Sequence, residues 1–259
     1  MNEPLATALA TLRIEQCFHG PPRSGNGGYV CGRLAEFIDG DCRVRLLRPP
    51  PLERELTVRA DSDAGTLSLC DGEQVIAQAQ PQALELTLPA PVFLAEARAL
   101  SPRFRGFEAH AFPGCFVCGP EREPGDGLRI FPGATEDGSR VASPWRPDPT
   151  LAGKDGCVRP RFVWAALDCP SGWAYLHPGG RVAVLGQLAV HIEVPVPVAQ
   201  DLVVVGWPID DPTADPSADP TTNMGRKHRC GSALFSADGE PLAWAAATWF
   251  DVDLENFTP

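Results

Sequence analysis

Apolar and polar positions run in two rhythms along the chain, and the two rhythms occur twice in the same order. In residues 27–38, GGYVCGRLAEFI, Val30, Leu34, Phe37 and Ile38 fall at helical spacing, which predicts a helix with one apolar face. Four strand-like runs follow, at 42–49 (CRVRLLRP), 55–61 (ELTVRAD), 65–72 (GTLSLCDG) and 74–88 (QVIAQAQPQALELTL), the first three alternating in part with a period of two. Residues 161–176, RFVWAALDCPSGWAYL, read as a second, more apolar helix, which Pro170 must kink or divide because proline removes a backbone donor. Strand-like runs come after it at 182–196, 201–207, 227–239 and 241–254.

Local phrases repeat along with the order. Residues 70–77 (CDGEQVIA) line up with 237–243 (ADGEPLA), each an Asp-Gly hairpin turn entering a strand. Arg48-Pro49-Pro50 and Val194-Pro195-Val196 each close the first strand after a helix. This is the pattern of an internal duplication, with a first unit over 1–90, a linker with a short helix over 91–113, and a second unit over 114–259. Within the second unit, 208–224 are acidic and proline-rich with little to bury, so they are expected to form a mobile, solvated loop.

Composition narrows the partners. With 44% hydrophobic and 21% charged residues in 259, the chain has the make-up of a soluble globular protein with room for one large domain or two smaller ones. A net charge of -11 argues against nucleic acid or an anionic membrane surface and leaves a small-molecule partner. The start, MNEPLATALATLRIEQ, lacks a basic region followed by an apolar run, and no apolar stretch is long enough to span a bilayer, so a cytoplasmic protein is expected.

Nine cysteines are scattered through apolar patterns, which suits reduced, buried thiols rather than a disulfide framework. Cys115 and Cys118 form a CxxC pair, but no second pair stands at a spacing that would complete a tetrahedral zinc site, so no metal is expected. No Gly-x-Ser-x-Gly elbow is present, which excludes a serine esterase of that type.

A helix followed by a curled antiparallel sheet, twice in one α+β chain, resembles the double hotdog fold of acyl-CoA thioesterases. The pieces that carry the likeness are the Gly27-Gly28 helix start, the helix around Asp168, and Cys115-Phe116-Val117-Cys118-Gly119 with Gly127-Leu128-Arg129-Ile130 after it. The resemblance implies two tandem units, each with a central helix wrapped by its sheet, and an acyl-CoA or acyl-carrier thioester as the ligand. It implies no separate cofactor, since coenzyme A enters with the substrate, and it is compatible with further pairing into a homodimer.

The resemblance also gives the glycines a task. Related single-domain enzymes build each site across two subunits, one presenting the N-terminus of its helix and the other a carboxylate two turns into its own. Free N–H groups at a helix start hold a thioester carbonyl and the oxyanion formed on attack. Here the first helix begins Asn26-Gly27-Gly28 but carries Ala35 where the carboxylate would fall, with Glu36 rotated about 100° away. The second carries Asp168 at the equivalent depth, but its start holds Pro160 and Arg161, and proline offers no N–H. One complete site would then join Gly28, as backbone oxyanion donor with Asn26 and Gly27, to Asp168 as base or nucleophile.

Tyr29 and Trp164 are substrate-binding candidates, and Gln187 and Thr248 stand near the strand positions where double hotdog enzymes place a Gln and a Thr. Arg23, Lys154, Arg159 and Arg161 sit near the helix starts and are candidates for coenzyme A phosphates. Two structural readings stand beside these. Gly27-Gly28 could serve only as a turn before a helix, and Asp168 could cap a new helix starting at Pro170. Three functions compete: a thioesterase, a non-catalytic acyl-thioester binder, and a hydratase using Asp168 and His177.

Overall fold

A computed structural model describes residues 7–60, 65–175, 182–209 and 227–253. Strands β1 (Thr7–Arg13), β2 (Cys42–Leu46), β3 (Glu55–Ala60), β4 (Leu67–Asp71) and β5 (Gln74–Pro81) precede β6 (Gly133–Ala134), β7 (Val141–Trp145), β8 (Val182–Ile192), β9 (Leu202–Pro208), β10 (Lys227–Ser236) and β11 (Pro241–Val252). Helices α1 (Gly27–Ala35), α2 (Leu94–Leu100) and α3 (Pro160–Trp173) interrupt them.

All eleven strands join in one antiparallel sheet, in the order β1-β3-β4-β5-β2-β8-β11-β10-β9-β7-β6. Outward from the middle, β2-β5-β4-β3-β1 on one side repeats as β8-β11-β10-β9-β7 on the other. The duplicated grammar of the sequence is therefore a duplicated topology, and the two copies are sewn together by β2 and β8, from Cys42 opposite Val190 to Arg45 opposite Gln187. Both Asp-Gly phrases are hairpin turns whose glycines take positive φ, 59° at Gly72 and 89° at Gly239, a conformation glycine adopts without steric cost.

Several boundaries differ from the sequence pattern. The strand expected over 74–88 ends at Pro81. Leu86 and Leu88 beyond it pack instead with α2 on the outer face of the sheet, against Val203, Val205 and Phe235. That cover explains why β9 is buried almost throughout and reads as an unbroken apolar run. Helix α1 ends at Ala35, and Phe37 is exposed rather than part of an apolar face. Strands β1, β6 and β7 went unpredicted. The acidic loop over 208–224 falls, from residue 210 onward, outside the described residues, as does His177 of the hydratase reading.

Pro170 does not divide the second helix, which continues to Trp173. The carbonyls near the proline find other donors: Leu167 O accepts from the Ser232 hydroxyl at 2.5 Å and Asp168 O from the Ser171 hydroxyl at 2.7 Å. Because the helix is continuous, Asp168 lies in its interior and caps nothing, which removes the N-cap reading.

Helices α1 and α3 lie against each other, antiparallel, on the inner side of the sheet. The contact depends on two glycines one turn apart. A Cβ on Gly28 would overlap the Asp168 Cβ and sit 2.8 Å from Trp164 O, and one on Gly32 would sit 2.6 Å from Arg161 Cα. The Gly-x-x-x-Gly face of α1 therefore lets its backbone touch the Arg161, Trp164, Ala165 and Asp168 ridge of α3. Residues Phe162 to Gly172 are all buried.

Candidate active site

The start of α1 is fixed by Asn26, whose side-chain oxygen accepts from the Tyr29 N–H at 2.9 Å in the manner of a helix N-cap. The same side chain turns its amide outward and donates to Asp168 Oδ2 at 3.0 Å. The Gly28 N–H donates to that same oxygen at 2.8 Å. Thus the N-terminus of one helix and a carboxylate two turns into the other meet directly, across 140 residues of sequence.

Gly28 was expected to hold the substrate oxyanion, but its N–H is already taken by Asp168. The close helix contact brings the carboxylate onto the helix terminus itself, where the partial positive charge of the N–H groups attracts it. The neighbouring Gly27 N–H has no acceptor among the described residues, and Gly27 lines the adjoining cavity. The helix start thus offers its free donor one residue earlier than the sequence suggested.

Asp168 is 2% exposed. Its second oxygen, Oδ1, has no hydrogen-bond partner among the described residues. Burial disfavours the charged form and lifts the carboxyl to about 7, against the lowering effect of the Gly28 N–H and the Asn26 amide. One oxygen is therefore anchored by two donors while the other is bare, on a group that titrates near neutrality.

Asn26, Gly27 and Asp168 form one wall of a cavity of about 700 Å³. Much of the remaining lining is apolar, including Leu46, Phe112, Trp173, Leu185, Trp249 and Phe250, and two cations, Arg48 and Arg105, also border it. The size lies within the range of small-molecule sites. The wall beside Asp168 is completed by Cys115, Cys118 and Cys169.

Other sequence candidates lie elsewhere. Tyr29 is buried in an aromatic cluster, stacked on Phe18 with ring centres 4.1 Å apart, and Trp164 fills the helix crossing beside Gly28 and Gly32. Gln187 and Thr248 are register partners on β8 and β11 and line a separate polar hollow with Arg229 and residues 82–86. Arg23 is exposed and borders neither cavity. Arg161 is held by Glu36 at 2.6 Å, and Arg159 donates to the Thr150 and Leu151 carbonyls. The Glu36–Arg161 pair occupies the corner of the helix pair opposite the Asp168 corner, where the duplication would put a second site.

No protein-family model and no curated protein matches the sequence. Solved structures do. The tesB protein of Mycobacterium avium subspecies paratuberculosis superposes with a TM-score of 0.59 at 13% identity, over 94% of this chain and 92% of that one. A hot dog fold protein of unknown function from Alicyclobacillus acidocaldarius gives 0.60 at 13%, over the same shares. The fold is a hotdog fold. The acyl-CoA thioesterase II TesB2 of Mycobacterium marinum also matches, with a TM-score of 0.56 at 14% identity over 93% of this chain and 92% of that one.

Sequence reasoning brought Asn26, Gly27, Gly28 and Asp168 together and read Trp173 and Trp249 as core or pocket wall, but missed Arg48 and Arg105 as cavity lining, and Cys169 as a neighbour of the CxxC pair. For Cys169 a signal existed: a cysteine beside the candidate carboxylate, in a chain whose CxxC pair lacked partners.

Proposed function

We propose that the chain is a double hotdog thioesterase that hydrolyses an acyl thioester at one composite site, where the α1 start and Asp168 face the cavity. The observation that carries this reading is the asymmetry of Asp168, a residue that borders the apolar cavity: Oδ2 is held by Gly28 and Asn26 while the buried Oδ1 is unpartnered among the described residues. A thioester carbonyl lodged there would direct its oxygen to the Gly27 N–H, and Oδ1 would take a proton from the water that attacks the carbon. The developing oxyanion meets a donor already fixed by the helix, and the thiolate leaves toward solvent.

The apolar lining suits an acyl chain, and Arg48 and Arg105 suit the anionic part of a coenzyme A or carrier-protein arm. The similarity of fold to acyl-CoA thioesterase II supports the same class of substrate. The test is thiol release from short, medium, long and aromatic acyl-CoAs by wild type and Asp168→Asn. Turnover that disappears in the variant, with acyl-CoA binding retained, supports the proposal. Saturable binding without turnover in the wild type makes the protein an acyl-thioester binder, and turnover indifferent to the substitution removes Asp168 from the chemistry.

A further inference from the structure

The fold brings a third cysteine to the CxxC pair. The sulfurs of Cys115, Cys118 and Cys169 all lie within 4.8 Å of one another, all three residues are buried, and Cys115 Sγ is 3.8 Å from Cys169 Sγ. Thiolates around a tetrahedral zinc, each at about 2.3 Å from the ion, are separated by roughly 3.8 Å. We propose that Cys115, Cys118 and Cys169 form a zinc site with three thiolate ligands and a fourth position open to the cavity.

An independent observation is the ring of N–H groups aimed at these sulfurs. The Asn26 amide approaches Cys115 Sγ at 3.9 Å. Trp173 Nε1 donates to Cys118 Sγ at 3.4 Å, and His110 Nε2 lies 3.3 Å from the same atom. A neutral thiol is a weak acceptor and does not call for so many donors; a metal-bound thiolate does. Gly119 closes the CxxC turn so tightly that a Cβ would stand 2.5 Å from both Cys115 O and Pro113 O.

His110 is a donor in this arrangement, not the fourth ligand. The Phe112 N–H donates to His110 Nδ1 at 3.0 Å, so the ring proton sits on Nε2, pointing at Cys118. Burial disfavours the charged form of the ring and lowers its pKa. All three thiols border the cavity, so the position His110 does not fill faces the space that holds the ligand. The ion would tie the 110–119 segment to α3 one residue from Asp168, and to the α1 start through Asn26.

The experiment strips the full-length, reduced protein with a chelator and titrates it with cobalt(II), then displaces the cobalt with zinc. The expected result is one ion per chain, with the intense thiolate-to-cobalt absorption and the visible bands of tetrahedral cobalt, both lost on zinc addition. Cys118→Ser and Cys169→Ser should lose that absorption while Cys17→Ser, at an exposed thiol, keeps it. His110→Ala should keep the tetrahedral spectrum with roughly 10-fold to 100-fold weaker affinity, as for the loss of an outer-shell partner. Circular dichroism reports whether each variant folds, and the wild-type spectrum and stoichiometry decide the question if a cysteine variant does not. Only weak octahedral absorption in the folded wild type, or a spectrum unchanged by Cys118→Ser and Cys169→Ser in folded protein, would overturn the site.

Discussion

The Gly28→Ala substitution sets two known effects against each other. In an ordinary helix, alanine stabilises relative to glycine by about 1 kcal/mol. Here the new methyl group would overlap the Asp168 Cβ and press on Trp164 O at 2.8 Å and Ala165 Cα at 3.1 Å, two of them backbone atoms of α3 that cannot turn aside. Overpacking of this kind costs about 1–3 kcal/mol. The net expectation is a loss of up to about 2 kcal/mol, a fall in melting temperature of several degrees for a chain of this size. Gly32→Ala supplies the comparison, because its methyl group meets Arg161 Cα at 2.6 Å and Trp164 Cβ at 2.8 Å in the same helix contact but one turn from the carboxylate. Urea unfolding should show similar losses for both, while thiol release should fall much further for Gly28→Ala, since it pushes Asp168 off its anchoring N–H. A Gly28→Ala protein more stable than wild type would refute the backbone contact, and equal activity losses in the two variants would refute the special place of Gly28.

Three further outcomes follow from the same structure. Asp168→Asn should lower turnover about 10²-fold to 10⁴-fold, the share of a general base. It should also stabilise the chelator-treated protein above pH 7. With the folded carboxyl at about 7 and the unfolded one near 4, the native state alone holds the proton between these values, so wild-type stability falls as pH rises through that window. The variant escapes that loss, by on the order of 4 kcal/mol at pH 8, and parallel unfolding curves at pH 5 and 8 would contradict it if the gap did not widen. Gly27→Pro should cost about 10²-fold to 10³-fold in kcat by deleting the N–H assigned to the oxyanion. Gly27→Ala, which adds the same contact with Leu185 but keeps the N–H, should cost far less, and equal kcat values for the two would sink that assignment. For His191, burial opposes the charge but hydrogen bonds to Glu193 and Asp41 outweigh it and raise the ring's pKa. The stability it contributes is present at pH 5.5 and lost as pH rises through the folded value, so His191→Gln should destabilise at pH 5.5 and be near neutral at pH 9 in thermal melts.

The long strands were legible because β8, β10 and β11 each carry ten or more residues of sustained pattern. β6 has two residues, and β7 holds Pro144, which reads as a breaker. The Asn26-Gly27-Gly28 start was legible from local chemistry, whereas the cavity wall joins segments from across the chain that no local pattern connects. Gln187 and Thr248 show a subtler failure. They are directly paired, but the register shifts between Thr248 and Trp249, opposite Gly186, so the next pair is Leu185 with Trp249. In a strand one residue of displacement exchanges the two faces. Leu185 and Trp249 thereby line the cavity, and Gln187 and Thr248 do not.

The two corners of the helix pair differ in their chemistry. At one corner, the Asn26-Gly27-Gly28 start receives a buried carboxylate, an arrangement that costs stability through the desolvation of Asp168 and its bare oxygen. At the other, Pro160 offers no N–H, Ala35 no carboxylate, and the partly exposed Arg161–Glu36 pair joins the helices instead. In a symmetric pair of separate subunits, any change that relieved one corner would abolish both. Joined in one chain, the halves can diverge, so that one corner can keep a strained, buried carboxylate while the other holds the helices together. Replacing Glu36 or Arg161 should therefore alter stability without touching turnover, whereas relaxing the Asp168 corner should lower turnover if the proposed hydrolysis runs there.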